Sequence, residues 1–294
     1  MARNHAHRGF SVVGFIVKMA LVVLLSVSGA VLAMRWYPPP TSAFMLRAEF
    51  EAWREGRVDF NLRQQWVGLS KISPAAGQAV LAAEDQSFIR HHGFNFKAIA
   101  QAFKRNQNSK RIRGGSTLSQ QTAKNLFLYP QRNFFRKSLE AGLTILLELL
   151  WDKQRILEVY LNIVQFGDGI YGVEAASQAF FKKSAARLEP SEAALLAAVL
   201  PNPLKLRADS PSAYVLKRRE WILRQMRQLG EESIIHPNFT QRSSEMYRLY
   251  IPMLPRVIMT SLSRPVMLGC STSKCVMASF TSSTKSWWST LKPV

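Results

Sequence analysis

Three stretches of the sequence place carboxylates, amides and cations at spacings that could support chemistry. The first, AAEDQSFIRHHGF at residues 82–94, puts Glu84 and Asp85 at the end of an apolar segment. A carboxylate at the end of a buried helix is partly desolvated, which suits it to general acid or base catalysis. An ordinary solvated carboxylate at a helix end is the alternative, and this stretch alone leaves both interpretations open.

The same stretch contains two adjacent histidines, His91 and His92. Adjacent side chains do not converge on one metal ion as side chains four residues apart on a helix do. The spacing therefore favours a loop histidine that supports a carboxylate over a metal site.

The second stretch, GGSTLSQQTAKN at residues 114–125, begins with two glycines and a Ser-Thr pair. The glycines allow close approach of the backbone to a ligand, and the N-terminus of the helix that follows is a natural anion site. Gln120 and Lys124 share a helix face, and Gln121 lies beside them. A cradle for phosphate or sugar hydroxyls and a plain capped helix both remain open, and the spacing is not that of a P-loop.

The third stretch, residues 132–150, places Arg136 and Lys137 four and three positions before Glu140. Such spacing gives either a surface ion pair worth about 0.5 kcal/mol or a second carboxylate held beside cations. We expect Glu140 at the edge of the core, and Glu148 is a candidate buried partner for a cation.

The elements that position these residues are predicted to be helices, without a convincing alternating strand between residues 45 and 230. Ser73-Pro74 is typical of a helix start, which predicts a helix over Ala75–Glu84. A second helix is predicted from Phe96 to about Asn106, and the basic residues 104–113 are predicted to form an exposed, mobile loop.

Four leucines predict a buried stripe on a further helix over residues 136–151, because they recur at steps of four, three and four. They are Leu139, Leu143, Leu146 and Leu150.

Composition and the N-terminus restrict the partners and the compartment. The chain of 294 residues has 39 Lys+Arg against 19 Asp+Glu, and this net charge of +20 favours an anionic partner such as nucleic acid, lipid head groups or a phosphorylated substrate. Residues 9–34 are apolar except for Lys18, which meets the ~20 residues that a bilayer span needs. Arg3 and Arg8 precede this segment and predict an N-terminus, residues 1–8, in the cytoplasm. A cleaved signal peptide is the alternative.

The remaining segments are less specific. Residues 35–65 form a juxtamembrane segment in which residues 43–66 are amphipathic, and residues 231–294 form a tail to which we assign no role. Cys270 and Cys275 predict neither a disulfide framework nor a zinc site, because no second pair of ligands accompanies them.

The order of the motifs resembles that of the peptidoglycan glycosyltransferases (glycosyltransferase family 51), the domain also found in class A penicillin-binding proteins. The matching elements are E-D-x-x-F-x-x-H-x-G, G-G-S-T-x-x-Q-Q-x-x-K-N, R-K-x-x-E and Y-L-N-x-x-x-F-G, which begin at Glu84, Gly114, Arg136 and Tyr160. The resemblance covers residues 66–230. It implies a mainly α, lysozyme-like glycosyltransferase domain behind a transmembrane helix, and it is closest to members that lack a transpeptidase domain.

The resemblance also implies roles for individual residues. Glu84 would be the general base, Glu140 the second essential carboxylate, and Lys124 and Arg132 would compensate pyrophosphate charge. Five further residues would bind substrate or support the site: Ser116, Gln120, Gln121, Arg136 and Lys137. A magnesium or manganese ion near Glu84 or Glu140 is implied by the resemblance alone.

The implied reaction is inverting transfer of a growing glycan chain from undecaprenyl pyrophosphate to the 4-hydroxyl of lipid II, outside the cytoplasmic membrane. The implied partners are lipid II, the lipid-linked glycan, the membrane and cell wall or division proteins, but no nucleic acid. A lysozyme-like lytic enzyme is the first alternative, because its two carboxylates could be Glu84 and Glu140. A basic membrane scaffold or nucleic-acid binder would leave the ordered motifs unexplained.

Overall fold

The computed structural model describes residues 12–107, 115–130 and 133–230 of the chain. Within this part of the chain the fold is mainly helical, as predicted. Its ten helices are α1 (Val12–Ala33), α2 (Ala43–Arg54), α3 (Pro74–Glu84), α4 (Phe96–Gln107), α5 (Leu118–Phe127), α6 (Phe134–Leu150), α7 (Lys153–Ile163), α8 (Val173–Phe181), α9 (Pro190–Val199) and α10 (Ala213–Leu229). Three short 3-10 helices cover Leu69–Lys71, Phe88–Arg90 and Ala185–Arg187.

Several sequence-based predictions fall outside these residues. They concern Arg132, Gly114, most of the basic loop, the tail at residues 231–294 and the cysteine pair.

Helix α1 is the one helix of the described segments that is long and apolar enough to cross a membrane, with a mean hydropathy of 2.4. Of its 22 residues only Val31 is buried, so its apolar surface faces outward along almost the whole helix. A helix that is apolar all round and unburied in its own protein is typical of a membrane span. The predicted N-terminal apolar helix is thus confirmed.

A small sheet interrupts the helices, and the prediction that residues 45–230 are all helical is wrong here. Its strands β1 (Arg63–Gln64), β2 (Gln165–Gly167) and β3 (Ile170–Tyr171) lie in the order β1-β3-β2. Strand β1 pairs with β3 in parallel, and β2 pairs with β3 in antiparallel orientation. Strands of two or three residues are too short to show an alternating pattern in the sequence.

Packing in the core fixes the position of α3 and of its last residue. Pro74 begins α3, as the Ser-Pro signal predicted, and the helix packs against α9 and α10. Buried alanines line both α3 and α9, so the two helices approach closely and α3 is held along its length. The fold thus fixes the point where α3 ends, at Glu84.

Helix α6 corrects the predicted leucine stripe. Its fully buried residues are Glu140, Thr144 and Leu147, whereas Leu139 is exposed and the other three leucines are only half-buried. The opposite side of α6 faces α1 across an apolar groove of about 990 Å³. Leu139, Leu143 and Leu146 line this groove, and Leu143, Leu146 and Leu150 also pack against the edge of the core. The leucines recur because α1 and the edge of the core cover this side of the helix, which gives the same sequence pattern as a fully buried side.

The C-terminal end of α1 is held against the rest of the protein. Trp151 donates its indole N–H to the carbonyl of Val31 at 2.8 Å. The guanidinium of Arg155 donates to the carbonyls of Met34 at 2.8 Å and Tyr37 at 2.7 Å. The last carbonyls of a helix and of the turn after it lack partners within the helix, so these donors satisfy them and fix the direction in which α1 leaves.

Candidate active site

Glu84 lies at the C-terminal end of α3 and is half-buried. Its Oε2 atom accepts a hydrogen bond of 2.9 Å from Nε2 of Gln121 on α5. The carboxylate is therefore held by a neutral donor, and its second oxygen is left to other partners.

The neighbouring carboxylate, Asp85, has a structural task. It accepts a hydrogen bond of 3.0 Å from the backbone N–H of Leu118 and contacts Nε2 of His91 at 2.9 Å. A loop histidine supporting a carboxylate was predicted, and the carboxylate that it supports is Asp85. Because Leu118 is the first residue of α5, these contacts join the end of α3 to the start of α5.

The start of α5 is a reciprocal cap between Thr117 and Gln120. Thr117 Oγ1 accepts from the backbone N–H of Gln120 at 3.3 Å, and the side-chain carbonyl of Gln120 accepts from the backbone N–H of Thr117 at 2.9 Å. This arrangement satisfies two N–H groups that the helix cannot satisfy itself. The buried Gln120 is thus committed to the helix start, whereas Ser116 is exposed just before it.

Gln121 joins Glu84 to a buried tyrosine on α7. The hydroxyl of Tyr160 donates to Oε1 of Gln121 at 3.1 Å, while Nε2 of the same amide contacts Glu84. Tyr160 is fully buried. Three elements, α3, α5 and α7, therefore converge on one amide.

Glu140 is surrounded by charge of the opposite sign. Its Oε2 atom lies 2.7 Å from Nη1 of Arg136, and its Oε1 atom lies 2.5 Å from Nζ of Lys137. The residue is 2% exposed, which is deeper than the edge position that its sequence predicted. With both oxygens in ion pairs, this carboxylate holds two cations in place.

Lys124 connects the two glutamates electrostatically. Burial lowers the pKa of Lys124 below its usual 10.5; the charges of Glu140 and Glu84 act to raise it, and those of Arg136 and Lys137 act to lower it further. All four charges therefore lie within interaction range of one ammonium group. Three cations face two carboxylates in this cluster, so it carries a net positive charge.

Arg136 leaves one donor to be matched. Its Nε is buried, and within the described residues no acceptor lies within hydrogen-bond distance of it. A buried donor without a partner costs free energy, of the order of 1–3 kcal/mol, which an anionic ligand would recover. The Lys124–Arg136–Lys137 cluster thus has the charge and the donor that an anion requires.

The described residues offer little to a divalent cation. They contain no group of three or more His, Cys, Asp and Glu residues placed to share an ion. Both oxygens of Glu140 are already paired with cations, and one oxygen of Glu84 is bonded to Gln121. The donor set does not fit a protein-held magnesium or manganese ion, so no step below passes through one.

Two buried groups next to the site were not assigned to it from the sequence. Lys153 pairs with Glu148 at 2.7 Å, which confirms that Glu148 has a buried cationic partner, and Ser119 donates to the same carboxylate. Tyr160 belongs to the YLN motif, but its contact with Gln121 depends on how α5 and α7 pack. Its place in the YLN motif is the only sequence signal that could have assigned Tyr160 to the site.

Together these features define a class of protein: a mainly helical enzyme domain that holds one half-buried carboxylate beside a cationic cluster, behind an apolar helix of membrane-spanning length. Comparison with known proteins assigns the family. The transglycosylase family matches residues 54–227, which is more than half of the chain. The chain belongs to this family, and it is a glycosyltransferase.

Curated relatives agree with this assignment over most of their own length. A biosynthetic peptidoglycan transglycosylase of Cronobacter sakazakii is 54% identical over 222 residues, covering 74% of this chain and 92% of the relative. A protein of the same name from Salmonella paratyphi B is 57% identical over 202 residues, covering 68% of this chain and 84% of the relative. The resemblance inferred from the four motifs is confirmed.

Proposed function

We propose that the protein polymerises lipid II into glycan strands by inverting transfer of the growing chain from undecaprenyl pyrophosphate to the 4-hydroxyl of the acceptor sugar. The observation that supports this most directly is that the two glutamates have different kinds of partner. Glu84 is held by one neutral amide, whereas Glu140 is paired with two cations.

Glu84 is the general base in this proposal. Its Oε2 is held by Gln121, so Oε1 can accept the proton from the acceptor hydroxyl. The oxygen of the acceptor hydroxyl then attacks the anomeric carbon of the donor while the bond between that carbon and the pyrophosphate breaks. A positioned base of this kind contributes on the order of 10²–10⁴ to the rate.

The cationic cluster receives the leaving group. Lys124, Arg136 and Lys137 supply positive charge where the pyrophosphate gains negative charge, and Glu140 fixes two of them. Arg132 was predicted to join them and lies outside the described residues. The protein would thereby act on an anionic lipid precursor, in agreement with its net charge of +20.

The outward-facing apolar surfaces support a location at the membrane. We place α1 across the cytoplasmic membrane with its N-terminus inside and the remaining domain on the outer face. Helix α2 then lies at the interface, since Phe50 and Trp53 are exposed on it. This arrangement would bring the site to the head groups of its lipid-linked substrates.

A lytic, lysozyme-like reaction is the alternative because it too uses two carboxylates. The ion pairs of Glu140 argue against it, since the second carboxylate of a hydrolase must act on water or on the sugar. A pyrophosphate leaving group, in contrast, accounts for the three cations.

Incubating the purified full-length protein with labelled lipid II tests the proposal. Polymeric glycan is the expected product, and shortened strands from isolated cell wall, without polymer from lipid II, would favour the lytic alternative. The same assay with a chelator tests the dependence on magnesium or manganese that the family resemblance alone implies.

Replacing Lys124 by alanine should weaken use of the pyrophosphate donor. The change removes a charged donor from the cluster, so we expect KM for the lipid-linked donor to rise by about tenfold or more. Steady-state kinetics with a varied donor concentration measure this effect, and Lys205→Ala, an exposed lysine remote in sequence, serves as the control. Unchanged donor kinetics would contradict the role of Lys124.

The same lysine predicts a pH dependence. Because burial lowers the pKa of Lys124 below 10.5, the ammonium group loses its proton at a lower pH than an exposed lysine does. Donor binding should therefore weaken as the pH rises through the lowered value. Lys124→Arg should keep donor binding constant through that range, since a guanidinium stays protonated. Parallel KM–pH profiles of the two proteins would show whether the expectation is met.

Protein stability should change in the opposite direction. The unfolded chain binds more protons than the folded protein between the lowered pKa of Lys124 and 10.5, so this group adds stability as the pH rises across that interval.

A further inference from the structure

The motif YLNIVQFG at residues 160–167 has no task in the mechanism above. Its first residue, Tyr160, contacts Gln121, which in turn contacts Glu84. We propose that Tyr160 is a positioning residue that sets the orientation of the Glu84 carboxylate through the side-chain amide of Gln121. This inference rests on the proposed function, because it assigns Glu84 the work of a general base.

The two hydrogen bonds that link Tyr160, Gln121 and Glu84 can run in only one direction. An ionised carboxylate accepts hydrogen bonds and cannot donate them, so Gln121 must turn its NH₂ group toward Glu84. Its carbonyl oxygen then faces Tyr160, 3.1 Å from the tyrosine hydroxyl, which must donate. Without this hydroxyl, the amide is held only by its contact with Glu84, so the orientation of both side chains is less restricted.

Tyr160 can donate at any working pH. Burial raises the pKa of Tyr160 well above its usual value, and the negative charge of Glu84 raises it further. The phenol therefore keeps its proton and remains a donor to Gln121.

The helix that carries Tyr160 is itself clamped by the same motif. The side chain of Asn162 accepts from the backbone N–H of Val67 at 2.8 Å and donates to the Val67 carbonyl at 2.9 Å. Gly172 approaches the carbonyl of Asn162 so closely that an added Cβ would lie 2.7 Å from its oxygen. The tyrosine hydroxyl is thus a hydrogen-bond donor of fixed position for the Gln121 amide.

A neutral clamp suits a base better than a cation would. A cation beside the base would favour its charged form and make it a poorer proton acceptor. An amide held in one orientation instead fixes Oε2 and leaves Oε1 aligned for the substrate proton. Alignment of this kind accounts for a large part of enzymatic rate enhancement.

Tyr160→Phe in the full-length protein tests the inference. We expect kcat for lipid II polymerisation to fall about 5- to 20-fold with KM within about twofold, because alignment is lost and substrate contacts are kept. The acidic limb of the kcat/KM profile should move to higher pH, because the amide no longer always donates to the charged carboxylate. A purely structural role of the hydroxyl would leave that limb in place.

Tyr171→Phe is the matched control. It removes another buried phenol hydroxyl, which donates to the carbonyl of Phe44 at 3.2 Å and does not contact Gln121. This variant should keep the wild-type pH profile. Thermal unfolding of both variants shows how far each loses stability.

Gln121→Ala completes a double-mutant cycle. If Tyr160 acts through Gln121, adding Tyr160→Phe to Gln121→Ala should cause no further loss of kcat. Independent, multiplying losses would overturn the inference, as would a wild-type kcat and pH profile in Tyr160→Phe. Should that variant fold poorly, a wild-type acidic limb in Gln121→Ala would overturn it equally. A wild-type protein that forms no polymer would instead refute the proposed function.

Discussion

Glu84→Gln should abolish polymerisation of lipid II while leaving the fold intact. The amide has the size of the carboxylate and remains half-buried beside Gln121, but it cannot take a proton from the acceptor hydroxyl. Since a positioned base contributes on the order of 10²–10⁴, we expect kcat to fall by about a thousandfold. Initial rates of glycan formation, with folding matched by circular dichroism, measure the effect.

An exposed carboxylate provides the control for this substitution. Glu220→Gln changes an exposed residue on α10 that pairs with its neighbour Arg219, and it should keep wild-type rates. A Glu84→Gln protein with the wild-type rate at matched folding would show that the base lies elsewhere.

Glu140→Ala should reduce both activity and stability. The change removes the shared partner of Arg136 and Lys137, of which Arg136 is largely buried, and leaves their charges next to Lys124. Breaking such a pair costs on the order of 2–4 kcal/mol in the free energy of unfolding, because like charges are left close together and poorly solvated. We also expect kcat/KM to fall by about a hundredfold or more as the cations lose their positions.

The matched control is an ion pair of the same spacing at the surface. Arg47 and Glu51 are also four residues apart on one helix, but their side chains are about one-third exposed. Glu51→Ala should therefore cost about 0.5 kcal/mol or less in the free energy of unfolding. Chemical denaturation of the two variants compares the costs, and equal values would contradict the structural role assigned to Glu140.

Local signals in the sequence predicted the elements that carry the site. The Ser73-Pro74 start and the run of small apolar residues predicted α3, and the helix from Phe96 was also confirmed. The predicted helices also put Glu84 and Glu140 next to apolar residues, but only the order of the four motifs, through the resemblance, implied catalytic roles for the two glutamates. Helix signals act within one or two helical turns, so they can be recognised without the tertiary structure.

Contacts between elements could not be predicted in the same way. The burial of Glu140 and the task of Tyr160 depend on how α5 packs against α6 and α7. The leucines of α6 show a further limit, since an apolar periodicity states that one side of a helix avoids water and does not state what covers it. The short strands could not be predicted because the sheet joins β1 to β3, a strand that is distant in the sequence.

The apolar side of α6 has a practical consequence for preparing this protein. Deleting α1 would remove one wall of the groove and leave Leu139, Ile145 and Leu149 in contact with water, in addition to the outward-facing Phe134 and Phe135. An exposed apolar surface of this kind promotes self-association. We therefore expect a truncated version without its first helix still to need detergent during purification.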